Sequence, residues 1–189
     1  MPKLGANDLR KRVKLLIDNQ PHVIIDADFV KPGKGQAFTK IKVKNYITGK
    51  QYDRTYKSTE TAESCDVTTS TMNYLYNDSA NWSFMDMESY EQIEVPKDSM
   101  DGTEKWLLDN TPCEVTVWEG KVLEVVPPPH MNLKITEAPP GIRGDTSGSV
   151  TRPATLETGV EIQIPLFINE GETIKVDTRT GEYLERAKK

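Results

Sequence analysis

Short runs of β-branched and aromatic residues recur at regular intervals along this sequence, with turn signals between them. Such runs are typical of strands, and turn dipeptides at this spacing are typical of meanders and small barrels. The predicted strands are residues 23–25, 38–43, 72–76, 82–85, 114–118, 122–126, 133–135, 160–164 and 173–176. The turn signals lie at residues 18–19, 32–33, 48–49, 77–78, 119–120, 170–171 and 180–181. The sequence therefore predicts an all-β fold.

Helical periodicity is scarce in this chain. The best candidate helix is residues 98–108, which would plug or flank a barrel. The polar stretch 58–66 and the three prolines at 127–129 are typical of linkers, and we place domain boundaries there. The predicted domains are residues 1–64, 65–127 and 128–189, each suited in size to a five-stranded barrel of the SH3-like or OB type.

Charge is distributed unevenly along the chain. The formal net charge is -5, but residues 1–64 carry 13 basic and 7 acidic side chains, whereas residues 65–189 carry 11 basic and 22 acidic ones. A basic end of this kind suits a phosphate backbone, and the acidic remainder disfavours indiscriminate binding to nucleic acid. Alternatively, the cationic surface only keeps a small domain in solution.

The composition argues against several classes of protein. No apolar run reaches the roughly 18 residues that a membrane-spanning helix needs, and residues 1–10 lack the apolar stretch of a signal peptide, so we expect a cytoplasmic protein with no membrane partner. Cys65 and Cys113 lie far apart and are expected to be reduced thiols. Because His22 and His130 are equally isolated, we expect no metal site and no cofactor. No Ser/His/Asp or Cys/His arrangement indicates an enzyme, and we expect a monomer.

The most informative segment is residues 28–38, where Lys34 stands between two glycines and between two predicted strands. Pro32 presets its own φ and Gly33 is expected to supply the positive φ of a type II turn, while Gly35 lets the chain return without a Cβ in the way. The segment is predicted to be a hairpin tip with an unshielded lysine. Further cations belong to the same module: Lys31, Lys40, Lys42, Lys44 and Arg54.

A lysine at such a tip is a flexible cation with three donors, suited to a phosphate or a ribose in a crevice, and it is also open to covalent modification. The alternative is ordinary turn chemistry with a solvated lysine, which the neighbouring cations make less favoured. A phosphate-binding P-loop is set aside because Lys34 is followed by Gly35 and no long helix follows.

Residues 29–38 resemble the modification loop of lysine-type elongation factor P. Other blocks resemble that family in the same order and spacing along nearly the whole chain, while residues 1–6 and 95–103 match loosely. The blocks are residues 55–58 in the first domain, 74–78 and 84–85 in the second, and 139–146, 152–159, 164–167 and 176–183 in the third. Each block alone is modest evidence, and their shared order makes the resemblance specific.

The resemblance implies an all-β fold of three small barrels in an L shape similar to tRNA in outline, with a KOW/SH3-like N-terminal barrel followed by two OB-fold barrels. It also implies a non-enzymatic translation elongation factor that binds the ribosome between the peptidyl and exit tRNA sites and relieves stalling at consecutive prolines. In this mechanism Lys34, supported by Pro32, Gly33 and Gly35, orients the peptidyl-tRNA for attack while the ribosome supplies the chemistry.

The resemblance further implies a modification of Lys34. In lysine-type relatives an enzyme related to lysyl-tRNA synthetase commonly extends the equivalent lysine with a β-lysyl group, and hydroxylation is a further expected modification. An aminopentanol-type extension stays open for this chain. The sugar carried by arginine-type relatives is excluded by the lysine itself.

Contacts with RNA are also implied by the resemblance. Lys31, Lys40, Lys42 and Arg54 become candidates for contact with rRNA of the two subunits or with the peptidyl-site tRNA. Tyr183 and Arg186 are candidates for contact with the peptidyl-site tRNA, unless Tyr183 only packs an edge strand and Arg186 is a solvated residue. Three residues are candidates for contact with the small subunit and the messenger RNA: Gly144, Asp145 and Thr146.

A general OB-type RNA- or DNA-binding protein is the alternative function, since barrels and a basic domain suffice for it. That alternative predicts binding to free nucleic acid that weakens steeply with salt, whereas an elongation factor should bind ribosomes strongly and naked nucleic acid weakly. Tyr74, Tyr76, Trp82 and Phe84 alternate as a stacking face would. In so acidic a module, core packing is the favoured interpretation of these aromatic residues.

Overall fold

The computed structural model describes residues 2–78, 80–140 and 151–187. Within them the regular secondary structure consists almost entirely of strands, and the all-β prediction is confirmed. Short 3-10 helices lie at Ala6–Asp8, Lys97–Ser99 and Thr103–Trp106. The strands are β1 Lys3–Gly5, β2 Lys14–Ile17, β3 Gln20–Val30, β4 Phe38–Asn45, β5 Gln51–Lys57, β6 Thr61–Ser64, β7 Thr68–Asn77, β8 Asn81–Asp86, β9 Gln92–Pro96, β10 Pro112–Trp118, β11 Lys121–Val126, β12 His130–Glu137, β13 Thr151–Leu156, β14 Glu161–Pro165, β15 Thr173–Asp177 and β16 Glu182–Arg186.

The first sheet has six antiparallel strands in the order β1-β6-β2-β3-β4-β5. In β4 the residues Thr39, Ile41 and Val43 are buried while Lys40 and Lys42 are exposed, which is the period of two expected of a strand with one face on a core. The apolar faces of the six strands meet in one buried cluster: Ala6, Leu9, Leu15, Ile17, Ile24, Ile41, Val43, Tyr56 and Ala62.

Two further sheets of five strands follow. The second has the order β11-β10-β7-β8-β9, and the third has the order β14-β13-β12-β15-β16. Phe84, Val95 and Val115 are fully buried in the second sheet. The third sheet closes over a larger buried cluster: Trp106, Leu133, Ile135, Ala154, Leu156, Ile162, Ile164, Ile168, Ile174 and Val176.

By packing, the chain divides into two compact units. One contains the first sheet together with residues 116–124, which form most of the hairpin of β10 and β11. The other contains residues 70–115 and the chain from residue 125 onward. The domain boundaries after residues 64 and 127 stay predictions.

The helix predicted at residues 98–108 is wrong in type. The structure has two separate 3-10 turns there, Lys97–Ser99 and Thr103–Trp106. Between them Asp101 has φ 49° and Gly102 has φ 85°, and such left-handed residues interrupt the hydrogen-bond pattern of a right-handed helix. The predicted apolar side is nevertheless used, because Trp106 inserts into the core of the third sheet.

Candidate functional site

Lys34 lies at the midpoint of the loop that joins β3 and β4. The last paired residues of the two strands are Val30 and Phe38, so the loop is residues 31–37 and Lys34 is its central residue. The side chain of Lys34 is exposed. The sequence prediction of a hairpin tip with an unshielded lysine agrees with this geometry.

The hairpin that carries this loop extends from the first sheet as an arm, defined here as residues 26–30 of β3 with their partners in β4 and β5. A bulge at Ile25 marks its base, since the register shifts between Ile24 and Asp26. The bonds between β3 and the chain before it end at Ile24, whose N–H donates to the carbonyl of Val13 at 2.9 Å. A β-bulge bends and twists the strand that contains it, so Ile25 directs the arm away from β2.

The arm is fixed near its outer end, close to the loop. Thr39 is buried, and its hydroxyl donates a hydrogen bond to the carbonyl of Ala6 at 2.8 Å. The C-terminal half of the loop is fastened as well: the N–H of Ser58 donates to the carbonyl of Ala37 at 2.8 Å, and Nε2 of Gln36 donates to Oγ1 of Thr59 at 3.2 Å. A rigid stem therefore presents the tip, which is the arrangement that a positioning residue needs.

The predicted type II turn at Pro32 and Gly33 is wrong. The chain bends through residues 33–35, and the positive φ belongs to Gly35, at 112°, and not to Gly33. The seven-residue loop does not need the tight reversal of a two-residue turn, and the positive φ falls where the chain returns toward β4. A Cβ at Gly33 would meet nothing within 4 Å, so the space beside Lys34 is open.

The structure separates the cations that the sequence places in one module. Lys31 lies in the exposed tip beside Lys34. Lys40 and Lys42 lie on one face of the arm, and Nζ of Lys40 is 3.3 Å from Oδ2 of Asp53. Arg54 pairs with the buried Ile41 and so lies on the other face, where its guanidinium stands 5.5 Å from the ring of Tyr56. These four residues therefore do not form one continuous basic surface.

An exposed aromatic ring accompanies the tip and was not anticipated from the sequence. Phe29 is 54% exposed although it lies in a paired strand, opposite the buried Thr39. The period-two alternation of the arm could have signalled this, because Phe29 extends the inward face beyond the point where the core ends. The tip thus places two cations next to an exposed aromatic ring.

The C-terminal candidates differ from one another in their surroundings. Tyr183 packs against the buried cluster of the third sheet, as an edge-strand residue would. The guanidinium of Arg186 lies 5.3 Å from the ring centre of Phe167, which is 62% exposed. Nη2 of Arg186 donates to the carbonyl of Phe167 at 2.8 Å, and its Nε lies 2.9 Å from Oε2 of Glu172.

The side chain of Arg186 is therefore fixed by these contacts and is not freely solvated. Backbone hydrogen bonding from Asn169 and the charge of Arg186 lower the pKa of Glu172, which keeps the ion pair charged. Phe167 and Glu172 were missed by sequence reasoning, since both come from the chain after β14 and meet Arg186 only in the folded sheet. The candidates Gly144, Asp145 and Thr146 lie outside the described residues.

The aromatic residues of the second sheet are mostly core residues. Tyr74, Trp82 and Phe84 are buried, as the core interpretation expects, while Tyr76 is 56% exposed.

The two cysteines are buried and free, and burial raises the pKa of the Cys113 thiol to about 12. Such thiols stay protonated and are poor nucleophiles. Among the described residues no group of three or more His, Cys, Asp or Glu could hold a metal ion, and no helix is long and apolar enough to cross a membrane.

Models of a single protein family match the chain in three consecutive parts. Residues 5–62 match the model described as Elongation factor P (EF-P) KOW-like domain. Residues 67–125 match Elongation factor P (EF-P) OB domain, and residues 131–186 match Elongation factor P, C-terminal. The three matches together account for most of the chain.

Similar proteins align over the full length. Elongation factor P of Stenotrophomonas maltophilia (strain K279a) is 50% identical over 188 residues, which is 100% of this chain and of that protein. Elongation factor P of Xylella fastidiosa (strain M23) is 49% identical over 188 residues, again 100% of both. Among solved structures, a eukaryotic translation initiation factor 5A from Methanococcus jannaschii covers 66% of this chain and 98% of its own, with 21% identity and a TM-score of 0.48.

The architecture and these matches define the class of protein as a translation elongation factor, built from a KOW-like domain, an OB domain and a further β domain. Proteins of this class are translation factors and not enzymes. Its candidate site is the hairpin of β3 and β4, whose loop presents Lys34. The chain belongs to the elongation factor P family.

Proposed function

We propose that this elongation factor binds the ribosome between the peptidyl and exit tRNA sites and promotes peptide-bond formation where consecutive prolines stall it. Lys34 enters the peptidyl-transferase centre and contacts the acceptor end of the peptidyl-tRNA. The proposal rests above all on one observation, the exposed Lys34 at the centre of the loop 31–37 on a fixed β stem.

The chemistry that this geometry can supply is orientation. Proline is a poor nucleophile for geometric reasons, so the missing factor at a stall is alignment of the reacting groups, and good alignment contributes several kcal/mol, or roughly a hundredfold or more in rate. A cation on a long stem can hold a phosphate or ribose in place without taking part in bond making. The ribosome then supplies the catalysis, and the protein needs no base or nucleophile.

The remaining contacts follow from where the cations lie. Lys31 shares the tip with Lys34 and is proposed to touch rRNA or the peptidyl-site tRNA in the same crevice. Lys40, Lys42 and Arg54 lie along the arm and are assigned a smaller share of that contact. Arg186, with Tyr183 beside it on β16, is proposed to touch the peptidyl-site tRNA, and residues 144–146 the small subunit and messenger RNA.

Modification of Lys34 belongs to the same proposal. An enzyme related to lysyl-tRNA synthetase would add a β-lysyl group, which lengthens the side chain and adds an amine. The open space beside Gly33 and the exposure of Lys34 give such an enzyme access to Nζ. We further propose that the protein acts as a cytoplasmic monomer.

The test is a reconstituted translation system that reads a reporter with three consecutive prolines. It compares the protein, shown by intact mass to carry its modification, with its Lys34→Ala variant, with a Lys50→Ala control and with no factor. Lys50 is an exposed lysine that follows β4 at the end remote from the loop, so its loss removes one unmodified lysine far from the tip. We expect full-length product from the wild type and from Lys50→Ala, and the no-factor level from Lys34→Ala.

Two other outcomes would contradict the proposal. If the modified wild type leaves the stall unrelieved, the function is wrong. Tight, salt-sensitive binding to naked RNA without preference for ribosomes would then favour the general nucleic-acid-binding alternative. If Lys34→Ala and Lys50→Ala rescue equally well, the factor acts through another residue.

A further inference from the structure

The outer face of the arm is a ladder of alternating charges, defined here as Asp26, Asp28, Lys40, Lys42 and Asp53. Asp28 is paired with Lys40 across β3 and β4, and Asp26 is paired with Lys42. On the other side of β4, Lys42 is paired with Asp53. Because directly paired residues of an antiparallel sheet project from the same face, all five side chains of the ladder share one surface.

One carboxylate of the ladder forms an ion pair with one of its lysines. Nζ of Lys40 lies 3.3 Å from Oδ2 of Asp53, a diagonal contact between β4 and β5. The side chains surround a shallow depression of about 230 Å³, which Ile41 also lines. Exposed ion pairs of this kind contribute little to folding stability, so stability does not account for a ladder of five charges.

Charge changes abruptly between the ladder and the tip. The ladder has three carboxylates and two ammonium groups, whereas the loop 31–37 has Lys31 and Lys34 and no acidic residue. No ion pair joins either tip lysine to another described residue. Lys57, which is paired with Phe38 beyond the ladder, adds one more cation to the same face. A phosphate approaching the side of the arm therefore meets a face whose charges balance, and one approaching the end meets two cations.

We propose that Asp26, Asp28 and Asp53 are specificity-determining residues that weaken the contact of Lys40 and Lys42 with RNA, so that the tip of the arm, and not its side, makes the main contact. The inference rests on the proposed function, in which the tip must reach one crevice in a particle made largely of RNA. Without the carboxylates, Lys40 and Lys42 would join the tip lysines in an extended basic strip. Such a strip binds any phosphate backbone and would hold the factor at unproductive places.

The test measures binding to a fluorescent 20-nucleotide single-stranded oligouridylate over a series of salt concentrations. It compares the full-length protein with the double variant Asp26→Asn/Asp53→Asn. Each lysine released for phosphate contact should steepen the dependence of log affinity on log salt by about 0.7, hence about 1.4 for Lys40 and Lys42 together. We expect that change, with several-fold tighter binding at low salt.

Two control variants separate the ladder from overall charge. Asp66→Asn removes one exposed carboxylate of the same unit outside the ladder and should leave the slope unchanged. Adding Lys42→Gln to the double variant should remove about half of the increase in the slope of log affinity against log salt. Thermal melting of each variant confirms that these exposed substitutions leave the protein folded.

A double variant with the wild-type slope overturns the inference, and so does an Asp66→Asn variant whose slope rises by half as much as that of the double variant. Because the readout is naked RNA, it is independent of proline rescue. A failure of rescue in the translation assay with a steepened slope here would reject the proposed function and retain the role of the ladder.

Discussion

The hydroxyl of Tyr46 donates a hydrogen bond to Oε2 of Glu124 at 2.8 Å, and Nζ of Lys14 lies 3.9 Å from the same oxygen. Tyr46 follows β4, and Glu124 belongs to the part of the β10–β11 hairpin that packs with the first sheet. Burial, followed by the negative charge of Glu124, raises the pKa of Tyr46 well above its usual range. The neutral phenol is therefore a fixed donor that ties this hairpin to the first sheet.

Tyr46→Phe should lower the free energy of unfolding by roughly 1–2 kcal/mol, because it removes a hydrogen bond to a partly buried charged group. Urea unfolding at neutral pH measures this difference. Tyr90→Phe is the matched control, since the side chain of Tyr90 is 70% exposed, and it should unfold like the wild type. Equal stability of Tyr46→Phe and the wild type would show that the bond contributes nothing.

The same pair predicts an alkaline pH dependence. An unfolded tyrosine loses its proton near pH ~10, whereas Tyr46 in the folded protein keeps it to higher pH. The contribution of Tyr46 to the free energy of unfolding is therefore complete below about pH 10. It falls as the pH rises further, because the tyrosine of the unfolded state releases its proton at a lower pH than that of the folded state. Unfolding curves at about pH 9 and 11 should show a smaller loss for Tyr46→Phe than for the wild type. A loss of stability in Tyr46→Phe as large as that in the wild type would contradict this prediction.

The two glycines beside Lys34 should respond differently to alanine. Gly35 has φ 112°, and an alanine there is strained by roughly 1–2 kcal/mol. Gly33 has open space for a Cβ and no positive φ. In the proline-reporter assay, Gly35→Ala should lose much of the rescue and Gly33→Ala should keep it. The reverse order would mean that the loop changes conformation when it acts.

Trp106→Ala should destabilise the protein by about 3–5 kcal/mol, because it empties a large buried volume in the core of the third sheet. The expected result is a clear drop in Tm in a thermal melt followed by circular dichroism. Lys105→Ala is the neighbouring control. Its ammonium lies 5.4 Å from the ring of Trp106 and is expected to contribute less than about 1 kcal/mol. A Trp106 variant that melts like the Lys105 variant would refute the packing role.

Arg186→Lys should weaken ribosome binding several-fold while keeping the charge. A lysine lacks the planar guanidinium that lies over the ring of Phe167 and contacts both the Phe167 carbonyl and Glu172 through separate nitrogens. Equilibrium binding to ribosomes stalled at prolines measures the effect. Lys175→Gln removes a cation from the same sheet, paired with Glu185 at 3.2 Å, and should bind more nearly like the wild type. If the Lys175 variant is the weaker binder, charge and not geometry governs the contact.

The strands and the Lys34 hairpin could be predicted from local sequence patterns, because a strand needs only a short run of suitable residues and a turn only two or three. The angle at Gly35 could not be predicted because it depends on a loop length that is set by the last pair, Val30 and Phe38. Likewise, nothing in the sequence places Arg54 on the face opposite Lys42, because that follows from the register with β4. Contacts such as that of Arg186 with Phe167 arise only when distant strands meet.

The bulge at Ile25 has a consequence for how the sequence of such an arm can change. Side chains alternate between faces, so the additional residue reverses which positions of β3 face outward. With regular pairing, Asp26 and Asp28 would follow Ile24 onto the apolar face, and Ala27 and Phe29 would face solvent. Removing or adding one residue here exchanges the charged and apolar surfaces of the arm while Lys34 stays at its end, whereas a change of two residues alters only its reach. Length variation in pairs is therefore the kind that this arm can tolerate.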